Sequence, residues 1–105
     1  MKKFLDEQGC WQVKFFANAY TKRGIPDLLV CYRGHFIAVE LKAPNGKPSE
    51  LQKWNIVKIN EAGGIGVILR PDQFEDFKHM IYYLKHDKVH EALRVAANIN
   101  ERWLP

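Results

Sequence analysis

The sequence predicts an α/β domain built on a mixed four-stranded sheet with helices on its faces. Two extended runs flank Arg33-Gly34, a helical segment starts at Ser49, and an apolar run follows it at 65–69. A short turn joins antiparallel strands, whereas a strand, a helix and a strand in succession give a parallel pair. The 105 residues, 47% of them hydrophobic, suffice for one small core.

The N-terminal part should form a short helix and then a strand. Residues from about Lys3 to Gln8 have helical character, and Gly9 follows them as a helix end. The run from Trp11 to Phe16 alternates like a half-buried strand. We therefore expect Trp11 to lie in the core.

A hairpin should follow. If Arg33-Gly34 is a two-residue loop, residue 32 pairs with residue 35, and the same register sets Asp27 opposite Glu40. Side chains two residues apart on a strand share a face, so Glu40 and Lys42 point the same way. The predicted register brings two carboxylates and an ammonium group to one end of the sheet.

The next helix and strand have clear local signals. Ser49 and Gln52 form a capping-box pattern, which predicts a helix to about Ala62 that Gly63-Gly64 ends. Trp54 lies within this amphipathic helix, and we expect it in the core. The apolar run that follows has no alternation, as expected for a strand buried on both faces.

The C-terminal part should be helical. Asp72 and Glu75 repeat the capping-box pattern before one helix, and a last helix is expected from about Lys88 to Arg102. The predicted apolar sides of the two helices are Phe74, Phe77, Ile81 and Leu84, and Val89, Leu93, Ala96 and Ala97. We interpret the chain as a single domain, with a core at about 1–72 and a C-terminal helical extension at about 73–105.

Composition narrows the class of protein. No apolar run approaches the roughly 20 residues that span a bilayer, and the N-terminus has no signal-peptide pattern. We expect a soluble cytoplasmic protein in which Cys10 and Cys31 are reduced thiols. The 16 Lys and Arg residues against 12 Asp and Glu residues give a net charge of +4, which is weak evidence for a polyanionic partner.

Two opposed carboxylates need a neutralising partner. Like charges directly opposite each other destabilise a sheet, and two carboxylates in contact do not easily both ionise without a cation. Mg²⁺ prefers hard oxygen ligands and open positions for water and phosphate oxygens. Asp27, Glu40 and Lys42 therefore predict a hydrolytic metal site. Taken singly, each also fits an ordinary turn residue or a solvent-facing strand residue.

Several motifs in this order resemble a known nuclease family: Gly24-Ile25-Pro26-Asp27, Val39-Glu40-Leu41-Lys42-Ala43-Pro44, Gly46-Lys47-Pro48-Ser49 with Gln52, and Gly63-Gly64. Over about residues 9 to 72 the chain resembles the VRR-NUC family, the virus-type replication-repair nucleases of the PD-(D/E)xK superfamily. More distantly, it resembles the archaeal Holliday-junction resolvases. The resemblance implies a restriction-endonuclease-like αβββαβ core, here with additional C-terminal helices.

The resemblance also implies roles for individual residues. Asp27 and Glu40 would ligate Mg²⁺ or Mn²⁺, with the main-chain carbonyl of Leu41 as a third ligand. Lys42 would orient the attacking water and stabilise charge on the phosphate. Gln52 matches a family position that faces the site from the following helix, although its capping box explains it equally well. Nucleases of this family leave a 5′-phosphate and a 3′-hydroxyl.

One family feature is missing at its usual place. The family usually has a further Glu on its first helix, and here the only candidates are Asp6 and Glu7. Either Glu7 substitutes as a metal ligand, or this contact is absent, or a partner chain supplies it.

Basic residues near these motifs are candidates for DNA contacts. Lys22 and Arg23 precede Gly24, and Lys47 lies in the turn after Lys42. Each could bind a phosphate, although a basic loop and a surface lysine explain the same residues.

The sequence thus favours a Mg²⁺-dependent DNA endonuclease that cuts branched DNA such as four-way junctions. We expect it to act as a homodimer, in the host cytoplasm if a phage encodes it. The alternatives are a non-catalytic DNA-binding module with the same fold, or an interaction subunit of a larger phage or mobile-element complex that docks through residues 74–105.

Overall fold

The structure, a computed structural model, describes residues 1–15 and 23–104 and contains a mixed four-stranded sheet with helices on both faces. The strands lie side by side in chain order: β1 (Trp11–Lys14), β2 (Leu28–Tyr32), β3 (His35–Leu41) and β4 (Ile65–Leu69). β2 is antiparallel to both β1 and β3, whereas β3 and β4 are parallel. The predicted α/β class and sheet are confirmed.

The helices divide between the two faces of the sheet. They are α1 (Lys2–Glu7), α2 (Glu50–Glu61), α3 (Phe74–Lys85) and α4 (Val89–Asn100), with a 3₁₀ turn at Pro71–Gln73. Helices α1, α3 and α4 bury Leu5, Phe77 and Ile99 in one core with the strands. Helix α2 packs on the other face, where Ile56 lies against Gly66 of β4.

The β2–β3 hairpin has the predicted register. Tyr32 pairs with His35 and Leu28 pairs with Val39, so Arg33-Gly34 is a two-residue loop. Both loop residues have positive φ, 49° at Arg33 and 83° at Gly34, as a type I′ turn requires. Such a turn matches the twist of the flanking strands, and glycine adopts this conformation without steric cost.

Helix α2 begins as the sequence predicts. The backbone N–H of Gln52 donates to the Ser49 hydroxyl at 3.1 Å, and the backbone N–H of Ser49 donates to Gln52 Oε1 at 2.8 Å. This capping box satisfies two backbone donors at the start of the helix. Every residue of the following strand, β4, is buried, which confirms the prediction for that run.

The predicted start of α3 is wrong. Pro71 opens a 3₁₀ turn instead, and α3 begins at Phe74. The Asp72 carboxylate accepts hydrogen bonds from Arg102 at 3.3 and 3.4 Å, so it does not cap α3. Proline at the first helical position favours this early turn because its φ is already helical.

The predicted apolar side of α4 is partly wrong. Ala92, Ala96 and Ile99 are buried, whereas Leu93 is 43% exposed and Ala97 is exposed. Helix α4 packs on both α3 and β4, and the buried side must face both elements. The sequence pattern does not show which residues of α4 contact β4.

Two asparagine amides and a tryptophan indole cover the outer edge of β4. Asn100 Oδ1 accepts from Ile68 N at 3.0 Å, and Asn100 Nδ2 donates to Gly66 O at 2.8 Å. Asn60 Oδ1 accepts from Gly66 N at 2.7 Å, and Trp103 Nε1 donates to Ile68 O at 3.3 Å. These bonds satisfy backbone groups that an edge strand would otherwise leave unpaired.

Two tryptophans expected in the core lie at the surface. Trp11 is 64% exposed and Trp54 is 49% exposed. Helix α2 packs on β3 and β4, which leaves Trp11 of β1 uncovered on that face. Within residues 1–15 and 23–104, none of the helices has the length and apolar character of a membrane-spanning helix.

Candidate active site

Asp27 directly precedes β2, and several contacts fix it there. Its backbone carbonyl accepts a hydrogen bond from Phe15 N at 2.8 Å, which continues the β1–β2 pairing. Its carboxylate oxygen Oδ2 accepts a hydrogen bond from Leu41 N at 2.9 Å. The hairpin register places Asp27 opposite Glu40, one position beyond the pair of Leu28 and Val39.

The loop before Asp27 is held against α2. Asn55, which is buried, donates through Nδ2 to Gly24 O at 3.0 Å and to Arg23 O at 3.4 Å. Gly24 has a φ of 75°, and a Cβ there would lie 2.7 Å from Leu51 Cγ, so only glycine fits this approach. Asn55 thus helps to position Asp27.

Sequence reasoning missed Asn55. A polar residue within an amphipathic helix is normally predicted to face solvent. The neighbouring sequence does not indicate that Asn55 has hydrogen-bond partners in the Gly24 loop. Only the packing of α2 beside this loop reveals the contact.

Glu40 is a buried carboxyl group with an unmet hydrogen-bond requirement. Its residue is 2% exposed, and Oε1 has no hydrogen-bond partner among the described residues. Burial, followed by the hydrogen bond to Asp27 and the charge of Asp27, raises the pKa of Glu40 to about 8. The ammonium group of Lys42 opposes this shift.

Lys42 follows directly after β3, beside the two carboxyl groups. Its backbone N–H donates to Leu69 O at 2.8 Å, which extends the parallel β3–β4 pairing by one residue. Within the part of the chain that the structure describes, its ammonium forms no salt bridge. The structure thus brings Asp27, Glu40 and Lys42 together, as the predicted hairpin register requires.

The donor set fits a divalent cation. A buried carboxyl oxygen that has no partner within residues 1–15 and 23–104, next to a second carboxylate, is a costly arrangement that a bound cation would stabilise. Carboxylate and main-chain carbonyl oxygens are the hard ligands that Mg²⁺ and Mn²⁺ take. Asp27, Glu40 and the carbonyl of Leu41 are therefore the groups here that could hold such an ion.

Glu7 is not placed with these carboxylates. A cavity of about 630 Å³ beside Asp27 is bordered by Met1 and Lys2, at the first turn of α1. Glu7 is the last residue of this helix and is exposed. Among residues 1–15 and 23–104, no His, Cys, Asp or Glu joins Asp27 and Glu40 in a group of three that could bind a metal.

No described hydrogen bond joins the remaining predicted residues to the carboxyl pair. The Oε1 atom of Gln52 accepts the Ser49 bond of the capping box, and no described hydrogen bond links Gln52 to the site. Arg23 and Lys47 are exposed on the two loops that flank the site. Lys22 lies outside the described residues.

Comparison with solved structures supports the fold. No family model matches the chain, and no curated protein matches it. A solved VRR_NUC domain is similar, with a TM-score of 0.58 and 25% identity over 81% of this chain and 86% of that chain. The chain has a VRR-NUC-type nuclease fold.

A second solved structure has a similar fold. The Holliday junction resolvase Hjc of Archaeoglobus fulgidus matches with a TM-score of 0.51 and 14% identity. The match covers 65% of this chain and 60% of Hjc, so the chain spans less than two thirds of that protein. In the VRR-NUC-type fold of this chain, Asp27, Glu40 and Lys42 lie at the carboxyl end of β3, next to the end of the parallel strand β4.

Proposed function

We propose that this chain is a divalent-metal-dependent DNA endonuclease. The observation that carries the proposal is the pairing of Asp27 with the buried carboxyl group of Glu40, beside Lys42. The Oε1 atom of Glu40 has no hydrogen-bond partner in the part of the chain that the structure describes. The likeness to a VRR_NUC domain supports the same class of reaction. The reaction is hydrolysis of a phosphodiester bond by water.

Each residue has a role in this proposal. Asp27, Glu40 and the Leu41 carbonyl would hold Mg²⁺, for which Mn²⁺ could substitute. When bound, this cation supplies Lewis-acid polarisation of water and phosphate. The bond from Leu41 N keeps Asp27 Oδ2 in place, which preorganises the ligand. Lys42 orients the attacking water and stabilises negative charge that develops on the phosphate.

Basic residues would hold the DNA backbone near these groups. Arg23 precedes the Gly24 loop that Asn55 fixes, and Lys47 follows the turn after Lys42. Both are exposed, so both can reach a phosphate. We propose the same role for Lys22, and for Gln52 a role in orienting substrate through its Nε2 atom.

We further propose that the substrate is branched DNA. The similar Archaeoglobus fulgidus protein, Hjc, is a Holliday junction resolvase, which supports this class of substrate. A small basic domain with a net charge of +4 can bind backbone phosphates of any sequence. Selection then depends on the shape of the DNA.

A homodimer would suit a branched substrate because two sites could cut two strands. Trp11, Val13, Phe36 and Trp54, which we call the aromatic surface, are each more than 40% exposed. Trp11 and Phe36 both lie level with Cys31 across the sheet, and Phe36 and Trp54 border one hollow. We propose that a second copy of the chain covers this surface.

Cleavage of labelled DNA tests the proposed activity. Four-way junction, flap and linear duplex are incubated with Mg²⁺, Mn²⁺ or chelator. We expect cutting with either metal, none with chelator, and preference for the junction. Asp27→Asn, Glu40→Gln and Lys42→Ala should each reduce kcat by at least about 100-fold.

Matched variants control for charge. Glu61→Gln removes an exposed carboxylate that pairs with Lys58 on α2, and Lys85→Ala removes an exposed lysine at the end of α3. Both should cut like wild type. A wild type that binds DNA but cuts none with either metal would support the non-catalytic DNA-binding module instead. Active Asp27→Asn and Lys42→Ala variants would contradict the residue assignment.

A further inference from the structure

The turn that follows Lys42 is held from outside the sheet by Arg70. Arg70 Nε and Nη2 both donate to the carbonyl oxygen of Gly46, at 3.2 and 2.9 Å. The turn closes on itself through Gly46 N, which donates to Ala43 O at 2.9 Å. A Cβ on Gly46 would lie 3.5 Å from Cβ of Lys42, so Gly46 lies close to the base of that side chain.

Arg70 is in turn held by the C-terminal residues. Its guanidinium carbon lies 4.7 Å from the centroid of the Trp103 ring, a distance typical of a cation–π contact. Trp103 Nε1 donates to Ile68 O, and Trp103 N donates to Asn100 O at 2.8 Å. A continuous series of contacts therefore joins the end of α4 to the turn beside Lys42.

We propose that Arg70 is a positioning residue for the proposed nuclease reaction, and that Trp103 keeps Arg70 in place. The inference rests on the proposed function of Lys42. Lysine has a long stem with many rotamers, and the ammonium of Lys42 forms no salt bridge within the described residues. The position of the Lys42 ammonium therefore depends on the Lys42 backbone and on the turn at residues 43–46. The planar guanidinium of Arg70 holds this turn with two donors.

A direct DNA contact by Arg70 is the competing role. Lys42 and Arg70 border the same cavity, of about 280 Å³, so proximity alone does not separate the two roles. Two of the guanidinium nitrogens bind Gly46, and the Trp103 ring lies against the group. These contacts favour positioning.

The test compares Arg70→Gln with Arg102→Gln. Arg102 lies beside the same Trp103 ring and pairs with Asp72, and no described hydrogen bond joins it to the Gly46 turn. Both substitutions remove one positive charge. On a four-way junction, Arg70→Gln should lower kcat by about 10- to 100-fold, because small displacements of catalytic groups have effects of this size. KM should change by less than about threefold. Arg102→Gln should match wild type in both constants.

Hydrogen exchange gives a second measurement that does not depend on activity. In the metal-free protein, Arg70→Gln should speed exchange of the Gly46 amide, which donates to Ala43 O, by about tenfold or more, because local opening of the turn becomes easier. Trp103→Leu should shift kcat and exchange in the same direction but by less. In the double variant the two effects should not add, as expected for residues that act in series. Arg70→Lys, which keeps one donor, should recover part of kcat.

Several results would overturn the proposal. A higher KM with unchanged kcat in Arg70→Gln would make Arg70 a DNA-binding residue. Unchanged exchange at the Gly46 amide, or equal losses of kcat in Arg70→Gln and Arg102→Gln, would also contradict it. If Arg70→Gln unfolds, Arg70→Lys carries both measurements. If wild type cuts no DNA, the proposed function fails, and the exchange data alone decide whether Arg70 fixes the turn.

Discussion

At the scale of single residues, Glu40 has the most unusual environment in the described chain. Its carboxyl group is buried beside Asp27, and its pKa is raised from 4.5 to about 8, first by burial. A group whose pKa is higher in the folded chain than in the unfolded chain binds more protons when folded between those two values. Protonated Glu40 thus makes its full contribution to the free energy of unfolding below pH 4.5. This contribution is lost as the pH rises to about 8.

This linkage predicts how stability depends on pH without metal. In chelator, the free energy of unfolding of wild type should fall between pH 5 and pH 9 more steeply than that of Glu40→Gln, by about 2 to 4 kcal/mol in total. The glutamine cannot ionise, so the variant lacks the pH dependence that ionisation of Glu40 causes. Urea unfolding at several pH values measures it, with Glu61→Gln, an exposed carboxylate, as the control.

Added Mg²⁺ should reverse the effect. At pH 9 a saturating cation should stabilise wild type more than Glu40→Gln, because binding to the folded chain alone raises its stability. Equal pH slopes for wild type and Glu40→Gln would contradict the raised pKa of Glu40. Equal responses to Mg²⁺ would show that Glu40 does not form part of the metal site.

At the scale of elements, the β2–β3 turn decides whether the site forms. Because side chains alternate between faces, a shift of one residue in the hairpin register would move Asp27 or Glu40 to the opposite face. The type I′ turn at Arg33-Gly34 fixes this register, with a φ of 49° at Arg33. Arginine is a poor residue for this conformation, whereas asparagine is favoured.

Arg33→Asn should therefore raise the free energy of unfolding by about 0.5 to 1 kcal/mol without loss of cleavage. Arg33→Ala is the matched control, since it also removes the exposed ion pair with Asp87 at 3.7 Å but lacks the preference for positive φ. It should lower the free energy of unfolding slightly. Urea unfolding of the two variants and wild type checks the order, which would fail if Asn and Ala had equal effects.

Local signals predicted most elements, and tertiary contacts account for the errors. The capping box at Ser49 and Gln52 and the two-residue hairpin loop depend on residues close in sequence, so both were predicted correctly. The buried side of α4 depends on Asn100, which binds β4 across 32 and 34 residues of sequence. From the sequence alone, Asn100 would be predicted to face solvent.

The candidate site shows the same division. Asp27, Glu40 and Lys42 follow from the hairpin register, which the sequence predicts. Asn55 and Arg70 do not, because their partners, the Gly24 and Gly46 carbonyls, lie 31 and 24 residues away. Neither residue belongs to the motifs that the resemblance covers, so only the packed structure connects them to the site.

At the scale of the whole molecule, helices cover the two faces of the sheet unequally. Three helices share the core on one face, whereas α2 packs over β3 and β4 on the other. The aromatic surface lies on this second face and exposes about 400 Å², since each aromatic side chain offers roughly 150 to 250 Å². Patches of this size often mark interaction sites.

We propose that a second copy of the chain covers this surface. A standard interface buries about 800 Å² from each partner, so the aromatic surface would form about half of it, as its apolar centre. Homodimer interfaces are more apolar than transient ones, and aromatic residues are enriched in them. A two-fold contact would pair the same surface of both copies, and would leave the basic loops at Arg23 and Lys47 for DNA.

Trp11→Lys should weaken the dimer by at least about 30-fold, the effect of losing a central aromatic anchor. Sedimentation velocity and light scattering over a wide range of protein concentration measure the change. Tyr82→Lys is the matched control, because Tyr82 is 56% exposed on α3, away from the aromatic surface, and this variant should dimerise like wild type. The monomeric Trp11→Lys variant should still cut one strand of a junction, since Asp27, Glu40 and Lys42 lie in one chain. Coordinated cutting of two strands of the same junction should be lost. A wild type that stays monomeric at all concentrations, or a Trp11→Lys variant that remains dimeric, would remove this surface as the dimer interface.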